Sequence, residues 1–312
     1  MSFSTHGVVH GVFDPFWIIR ISSQRSKEIV NFMVFSSVFV GLICTAMTYI
    51  SCFIQNLPCS FSILAIPFLV TFSVYNLNKR SDEIEDSINR QDRYSFTKRY
   101  ERPLFIGALA AYAAACMLAA FSGAPALLIT AFPFLTGILY SMRLLPGRFH
   151  YSRLKDIPVM KNIAVSCSWI FFAGLLPVFM NDAAPNFRTL IALLSFFSWA
   201  FCASILPDMR DREGDARTGI HTIPVILGDE KTRDILYRVN LTCGIIIVLL
   251  GFNHLPFILL GTLMACTAYT HGCIYLYGKI GSRDLVSDFL SDGQYIFFTI
   301  AILILTSAHI FL

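Results

Sequence analysis

The stretch Asn78-Lys79-Arg80-Ser81-Asp82-Glu83-Ile84-Glu85-Asp86 follows directly on an apolar run that ends near Leu77. If the helix continues outward, Asn78, Asp82 and Asp86 recur every four residues and share one face. A second cluster, Asp208-Met209-Arg210-Asp211-Arg212-Glu213-Gly214-Asp215, closes another apolar run. Its Asp208, Asp211 and Asp215 fall at i, i+3 and i+7, again one helical face. Two carboxylate faces at the ends of two apolar helices suggest a divalent-metal site that grips a polyphosphate.

The rest of the chain says what those helices cross. The 312 residues are 55% apolar and 14% charged, against about 25% charged in ordinary soluble domains. No Asp, Glu, Lys or Arg occurs in 29–78, 103–142, 162–181, 189–207, 239–278 or 293–312. A membrane helix needs about 20 mostly apolar residues, and these windows supply that repeatedly. The reading is an all-α polytopic membrane protein of nine transmembrane helices, near 29–53, 61–77, 104–121, 126–142, 160–181, 189–207, 236–252, 257–278 and 293–312. Residues 1–28 interleave Phe13, Phe16, Trp17, Ile18 and Ile19 with Arg20, Arg25 and Lys27, which fits an interfacial segment on the membrane surface. Residues 29–312 form the transmembrane domain. An Asp-x-x-x-Asp pair ends the second helix and another ends the sixth, so two four-helix pseudo-repeats plus a ninth helix account for the layout.

Lys and Arg set the orientation. The amino terminus and the loops after the second, fourth, sixth and eighth helices hold all of them except Arg188 and Arg238, and Arg238 borders the same side. The positive-inside tendency places the amino terminus and both acidic motifs in the cytoplasm and the carboxyl terminus outside. The net charge of +4 is modest and gives no indication of nucleic acid. The nine cysteines form no CxxC pair and lie in or beside apolar windows, as small hydrophobes do.

Mg²⁺ prefers oxygen ligands and is usually held by one or two carboxylates plus substrate phosphates. Asn78, Asp82, Asp86, Asp208, Asp211 and Asp215 offer such a set, with Asp82, Asp211 and Asp215 the expected catalytic carboxylates. A leaving diphosphate gains charge as its carbon–oxygen bond breaks, and fixed cations lower that barrier. Arg90, Arg93, Lys155, Lys161, Arg212 and Arg217 are the candidates. Tyr75, Tyr140 and Trp169 are placed to line an isoprenoid channel or face a carbocation, and Asn76, Asn162, Ser166 and His271 to hold an acceptor. Pro207 disfavours helix at the residue before it, so the sixth helix is expected to end irregularly.

At these residues the chain resembles the UbiA superfamily of intramembrane prenyltransferases. The paired motifs Asn78/Asp82/Asp86 and Asp208/Asp211/Asp215 carry the resemblance, with the tail Gly219-Ile220-His221-Thr222-Ile223-Pro224-Val225-Ile226-Leu227-Gly228 and the pair Asn89-Arg90. Many members of that superfamily have Asp where this chain has Lys79. The resemblance implies Mg²⁺-dependent transfer of a prenyl group from a polyprenyl diphosphate to a lipophilic acceptor, often an aromatic ring, within the bilayer. A membrane terpene cyclase, which ionises the same diphosphate without an acceptor, is the alternative. A transporter is the remote one, because it calls for acidic residues at the bilayer midplane and these sit at helix ends.

Overall fold

The computed structural model describes residues 24–81, 83–142, 153–154, 157, 159–280, 283 and 285–307. Asp82, Lys155 and most of the amino-terminal interfacial segment therefore lie outside the described residues. Among the described residues no strand occurs. The helices are α1 (Gln24–Phe35), α2 (Val38–Gln55), α3 (Phe61–Ser81), α4 (Glu83–Asn89), α5 (Gln91–Arg99), α6 (Glu101–Ala120), α7 (Ala124–Ser141), α8 (Met160–Met180), α9 (Phe187–Arg217), α10 (Ile223–Gly251), α11 (Phe257–Leu276) and α12 (Asp292–Ser307), the last preceded by a π-helical segment, Leu285–Ser291. Eight spans among them are long and apolar enough to cross a membrane, Leu285–Ser307 being one; the apolar stretch Ala124–Tyr140 is shorter.

The long helices pack in a closed ring. Neighbours run α2, α3, α6, α7, α8, α9, α10, α11, α12 and back to α2, while α2 also leans inward on α8 and α9. Lipid offers no hydrophobic driving force between helices, so small residues and interhelical hydrogen bonds hold such rings together. Ala108, Ala115 and Ala119 of α6 are completely buried. Gln55 joins three helices, donating to Ser51 Oγ (2.8 Å) and to the Gly174 carbonyl (2.9 Å) and accepting from Thr189 Oγ1 (2.7 Å). Asn240 of α10 accepts from Ser198 Oγ (2.8 Å) and donates to the Thr267 carbonyl (2.9 Å). Each bond removes a polar group from contact with hydrocarbon, where leaving it unpaired is costly.

Four boundaries differ from the sequence expectation. The first apolar window is broken at Ser36-Ser37, where Ser37 takes a left-handed conformation (φ 69°). The carbonyls at the end of α1 find donors on α3: Lys79 Nζ donates to Phe35, and Asn76 Nδ2 to Ser36 (2.9 Å). Lysine near a helix carboxyl end commonly satisfies such carbonyls. The polar segment 78–102, expected as a loop, is helical over most of its described residues and contains α4 and α5. Asn78 and Asp86, from the two sides of Asp82, line the same small cavity. Pro207 does not end its helix: α9 runs unbroken to Arg217. Ile205, Leu206 and Met209 are fully buried in one core with Leu236, Ile274 and Tyr277, so packing overrides the local preference. Finally, Asp288 lies in the π-helical segment, and α12 begins at Asp292.

Candidate active site

Because α9 continues past Pro207, its three aspartates do share a face. Asp208 and Asp215 are buried, and Lys161 from the first turn of α8 bridges them, with Nζ 2.7 Å from Asp208 Oδ1 and 3.2 Å from Asp215 Oδ2. Asn162 Nδ2 also donates to Asp208, while its own Oδ1 is buried without a partner. Asp211 is gripped by the guanidinium of Arg210 through both oxygens, at 2.8 and 2.9 Å. Arg210 then reaches Asp288 (2.7 Å), and Asp288 also accepts from Arg90 (2.8 Å). Arg93 pairs with Asp86. Buried carboxylates are tolerable only with counter-charges of this kind.

Most of these groups, though not Asp86 or Asp215, close one end of a cavity of about 350 Å³, within the range for small-molecule sites. Lys79, Arg90, Arg93, Lys161, Arg210, Asp208, Asp211 and Asp288 line that end, and Val40, Ile43, Met47, Ala200 and Ala203 line the remainder. The cavity is therefore amphipathic, with cations and carboxylates at one end and hydrocarbon at the other. From the first region only Lys79 reaches this end, with Arg90 and Arg93 just beyond it in sequence, whereas the second region supplies Asp208 and Asp211.

Tyr75 and Trp169 stack with ring centres 5.7 Å apart and form the wall between this cavity and a side cavity of about 180 Å³. Asn78, Asp86 and Tyr140 line the side cavity and do not border the central one; Arg93 and Lys79 border both. A third, polar cavity of about 740 Å³ lies outside the charged end and shares Arg90, Arg210 and Asp211 with it. Arg212 and Arg217 line this outer space, and Arg212 is bonded to Asp229 at 2.9 Å. They are thus not at the central cavity: both lie at least one turn further along α9 than Asp208, beyond the charged end. Among the described residues no three His, Cys, Asp or Glu side chains are grouped closely enough to hold a metal by themselves.

Of the acceptor candidates, Asn162 and Ser166 line the central cavity. Asn76 is instead committed to the α1–α3 junction, and His271 is exposed, stacked on Tyr237. Five cavity groups escaped sequence reasoning: Lys79, Arg210, Asp288, Asp292 and Tyr295. Arg210 was visible inside the second motif, whereas the acids of 288–292 read as loop charges.

An amphipathic cavity between two acidic motifs on a nine-membered helical ring has a counterpart in sequence families. Residues 34–290 match the model of the UbiA prenyltransferase family. The chain belongs to that family. It is 27% identical over 194 residues to the digeranylgeranylglyceryl phosphate synthase of Methanothrix thermoacetophila and 29% identical over 199 residues to that of Methanoculleus marisnigri, each match covering 60% of this chain. The matches span 66% and 63% of those relatives' own length. Among solved structures, a UbiA homolog from Archaeoglobus fulgidus bound to GPP and Mg²⁺ superposes with a TM-score of 0.64 at 16% identity, covering 87% of this chain and 98% of that one. At that identity the likeness concerns the UbiA fold.

Proposed function

We propose that this protein transfers a prenyl group from a polyprenyl diphosphate to a lipophilic acceptor, with Mg²⁺ as cofactor. The observation that carries the reading is the amphipathic cavity, whose apolar length ends on Lys161, Arg90, Arg93 and Arg210. The donors also suit the metal: Asp208, Asp211 and Asp215 with the unpartnered Asn162 Oδ1 on one side, and Asp86 with the Asn78 amide on the other, are all hard oxygens. Asp82 joins that set on its motif position. Mg²⁺ held there would supply positive charge against the diphosphate and make it a better leaving group.

The chain's own groups do the rest. Lys161, Arg90, Arg93 and Arg210 hold the diphosphate and stabilise the charge it gains as the carbon–oxygen bond breaks. Lys155 is a further candidate for this role, whereas Arg212 and Arg217 serve better in the outer cavity, meeting anionic head groups as they approach. The faces of Tyr75 and Trp169 stabilise the allylic cation, and the apolar walls keep water from quenching it. The names of the archaeal relatives favour a glycerophosphate-type lipid as acceptor. The lysines and arginines favour a cytoplasmic charged end and an external carboxyl terminus.

The test is incubation of purified protein with Mg²⁺ and labelled geranyl, farnesyl and geranylgeranyl diphosphates, with and without geranylgeranylglyceryl phosphate or a lipid extract. A prenylated lipid formed only when acceptor is present supports the reading. A cyclic hydrocarbon from diphosphate alone would identify a cyclase, and no consumption of any diphosphate would refute prenyl chemistry.

A further inference from the structure

The last helix places three polar groups down one wall of the central cavity. Asp288 is neutralised by Arg90 (2.8 Å) and Arg210 (2.7 Å) at the charged end. Asp292 follows about one turn on, and Tyr295 three residues after that, so both remain on the cavity face. Asp292 is only half-buried and forms no hydrogen bond or ion pair among the described residues, although Arg90 and Arg210 lie so close to its neighbour. The Tyr295 hydroxyl is buried, 3% exposed for the residue, and has no hydrogen-bond partner. Every other carboxylate described at the charged end is paired; these two groups face the cavity with their bonding capacity unspent.

A carboxylate accepts hydrogen bonds and a phenol donates one, and the ligand that satisfies both from a single atom is a hydroxyl. Resting on the prenyl-transfer reading, we infer that Asp292 and Tyr295 bind the acceptor as a protic oxygen nucleophile, with Asp292 its general base. Tyr295 donates to the acceptor's oxygen and orients it toward the allylic carbon. The C1–O bond to diphosphate breaks, its electron pair leaving on the diphosphate, and the acceptor's oxygen forms the new bond to the allylic C1. The acceptor's O–H bond breaks in turn, and the proton passes to the Asp292 carboxylate, from which water takes it after product release. Asp292 stands beyond the Arg90–Asp288–Arg210 cluster, toward the hydrocarbon end, on the side of the diphosphate where the prenyl carbon must lie. The acceptor class is then a lipid alcohol.

A thiol separates this role from a structural one, because it ionises several pH units more readily than an alcohol and needs little help from a base. Full-length protein in nanodiscs is assayed with geranylgeranyl diphosphate and Mg²⁺, using geranylgeranylglyceryl phosphate or its analogue with a thiol in place of the free hydroxyl. General-base catalysis contributes on the order of 10²–10⁴-fold, so Asp292→Asn is expected to slow transfer to the alcohol at least tenfold more than transfer to the thiol. Equal losses on the two acceptors, or retention of the alcohol reaction, overturn the inference. If Asp292→Asn binds no geranylgeranyl diphosphate, Tyr295→Phe carries the test: it keeps the ring against Trp199 and is expected to lose the alcohol reaction at least threefold more than the thiol one, equal losses again overturning the inference. Wild-type protein that consumes no diphosphate would instead refute the function proposed above.

Discussion

Lys161→Met removes one ammonium and strands two carboxylates. Lys161 Nζ lies 2.7 Å from Asp208 and 3.2 Å from Asp215, whose side chains are only 7% and 3% exposed. The lysine side chain is itself 22% exposed, so solvent screens the bridge little. Removing one partner of a buried pair costs about 3–5 kcal/mol. Asn162 continues to donate to Asp208, which argues for the lower end, about 3 kcal/mol. At about 2–4 °C per kcal/mol for domains of 150–250 residues, the melting temperature should fall by about 6–12 °C. The assay is built into the chain: Cys44, Cys52, Cys202, Cys243, Cys266 and Cys273 are buried free thiols, so a thiol-reactive dye reports unfolding in detergent. Millimolar Mg²⁺ with pyrophosphate should raise the melting temperature of Lys161→Met more than that of wild type, because a divalent cation replaces the missing charge and ligands that bind only the folded state stabilise it. A variant melting within about 1 °C of wild type would refute the bridge as the neutralising contact. A large drop that Mg²⁺ does not relieve would refute the metal assignment of Asp208 and Asp215.

Asp211→Asn should abolish prenyl transfer while leaving Arg210 tied to Asp288; full activity in this variant, measured with labelled diphosphate, would remove Asp211 from the site. Trp169→Ala takes away half of the wall between the central and side cavities, so product analysis should show longer prenyl diphosphates accepted relative to geranyl diphosphate, and an unchanged preference would count against the wall. Calorimetry in EDTA should show diphosphate binding weakened at least tenfold. In a cysteine-free background, Ser87→Cys and Ala216→Cys, both at exposed positions, should react with impermeant maleimide only from the cytoplasmic side; labelling from opposite sides would place the two motifs on different faces of the membrane.

The second motif was legible because its information is local. Asp208, Asp211 and Asp215 share a face in any uninterrupted helix, and only the presumption that Pro207 interrupts it stood in the way. Burial of Leu206 and Met209 settles that point, and no neighbour-by-neighbour rule contains it. The first motif was less legible for the converse reason. Asn78 and Asp86 do line one cavity, but what fixes this stretch is distant in sequence: Lys79 is drawn to the carbonyl of Phe35, 44 residues earlier. Membrane span positions were clear from hydropathy, but hydropathy also hid the last part of the site. A charge next to an apolar window reads as the end of a span, and that rule assigned Asp288 and Asp292 to a loop. The rule fails when a charge at a helix end points inward to a partner. Asp288 does so because Arg90 and Arg210 meet it from 198 and 78 residues away. Local pattern cannot tell a solvated charge from one of this kind, since the difference lies in the partner. A buried carboxylate without a cation is costly, which is why both Arg90 and Arg210 meet Asp288; Asp292, only partly buried, faces the same cavity with no hydrogen bond or ion pair among the described residues.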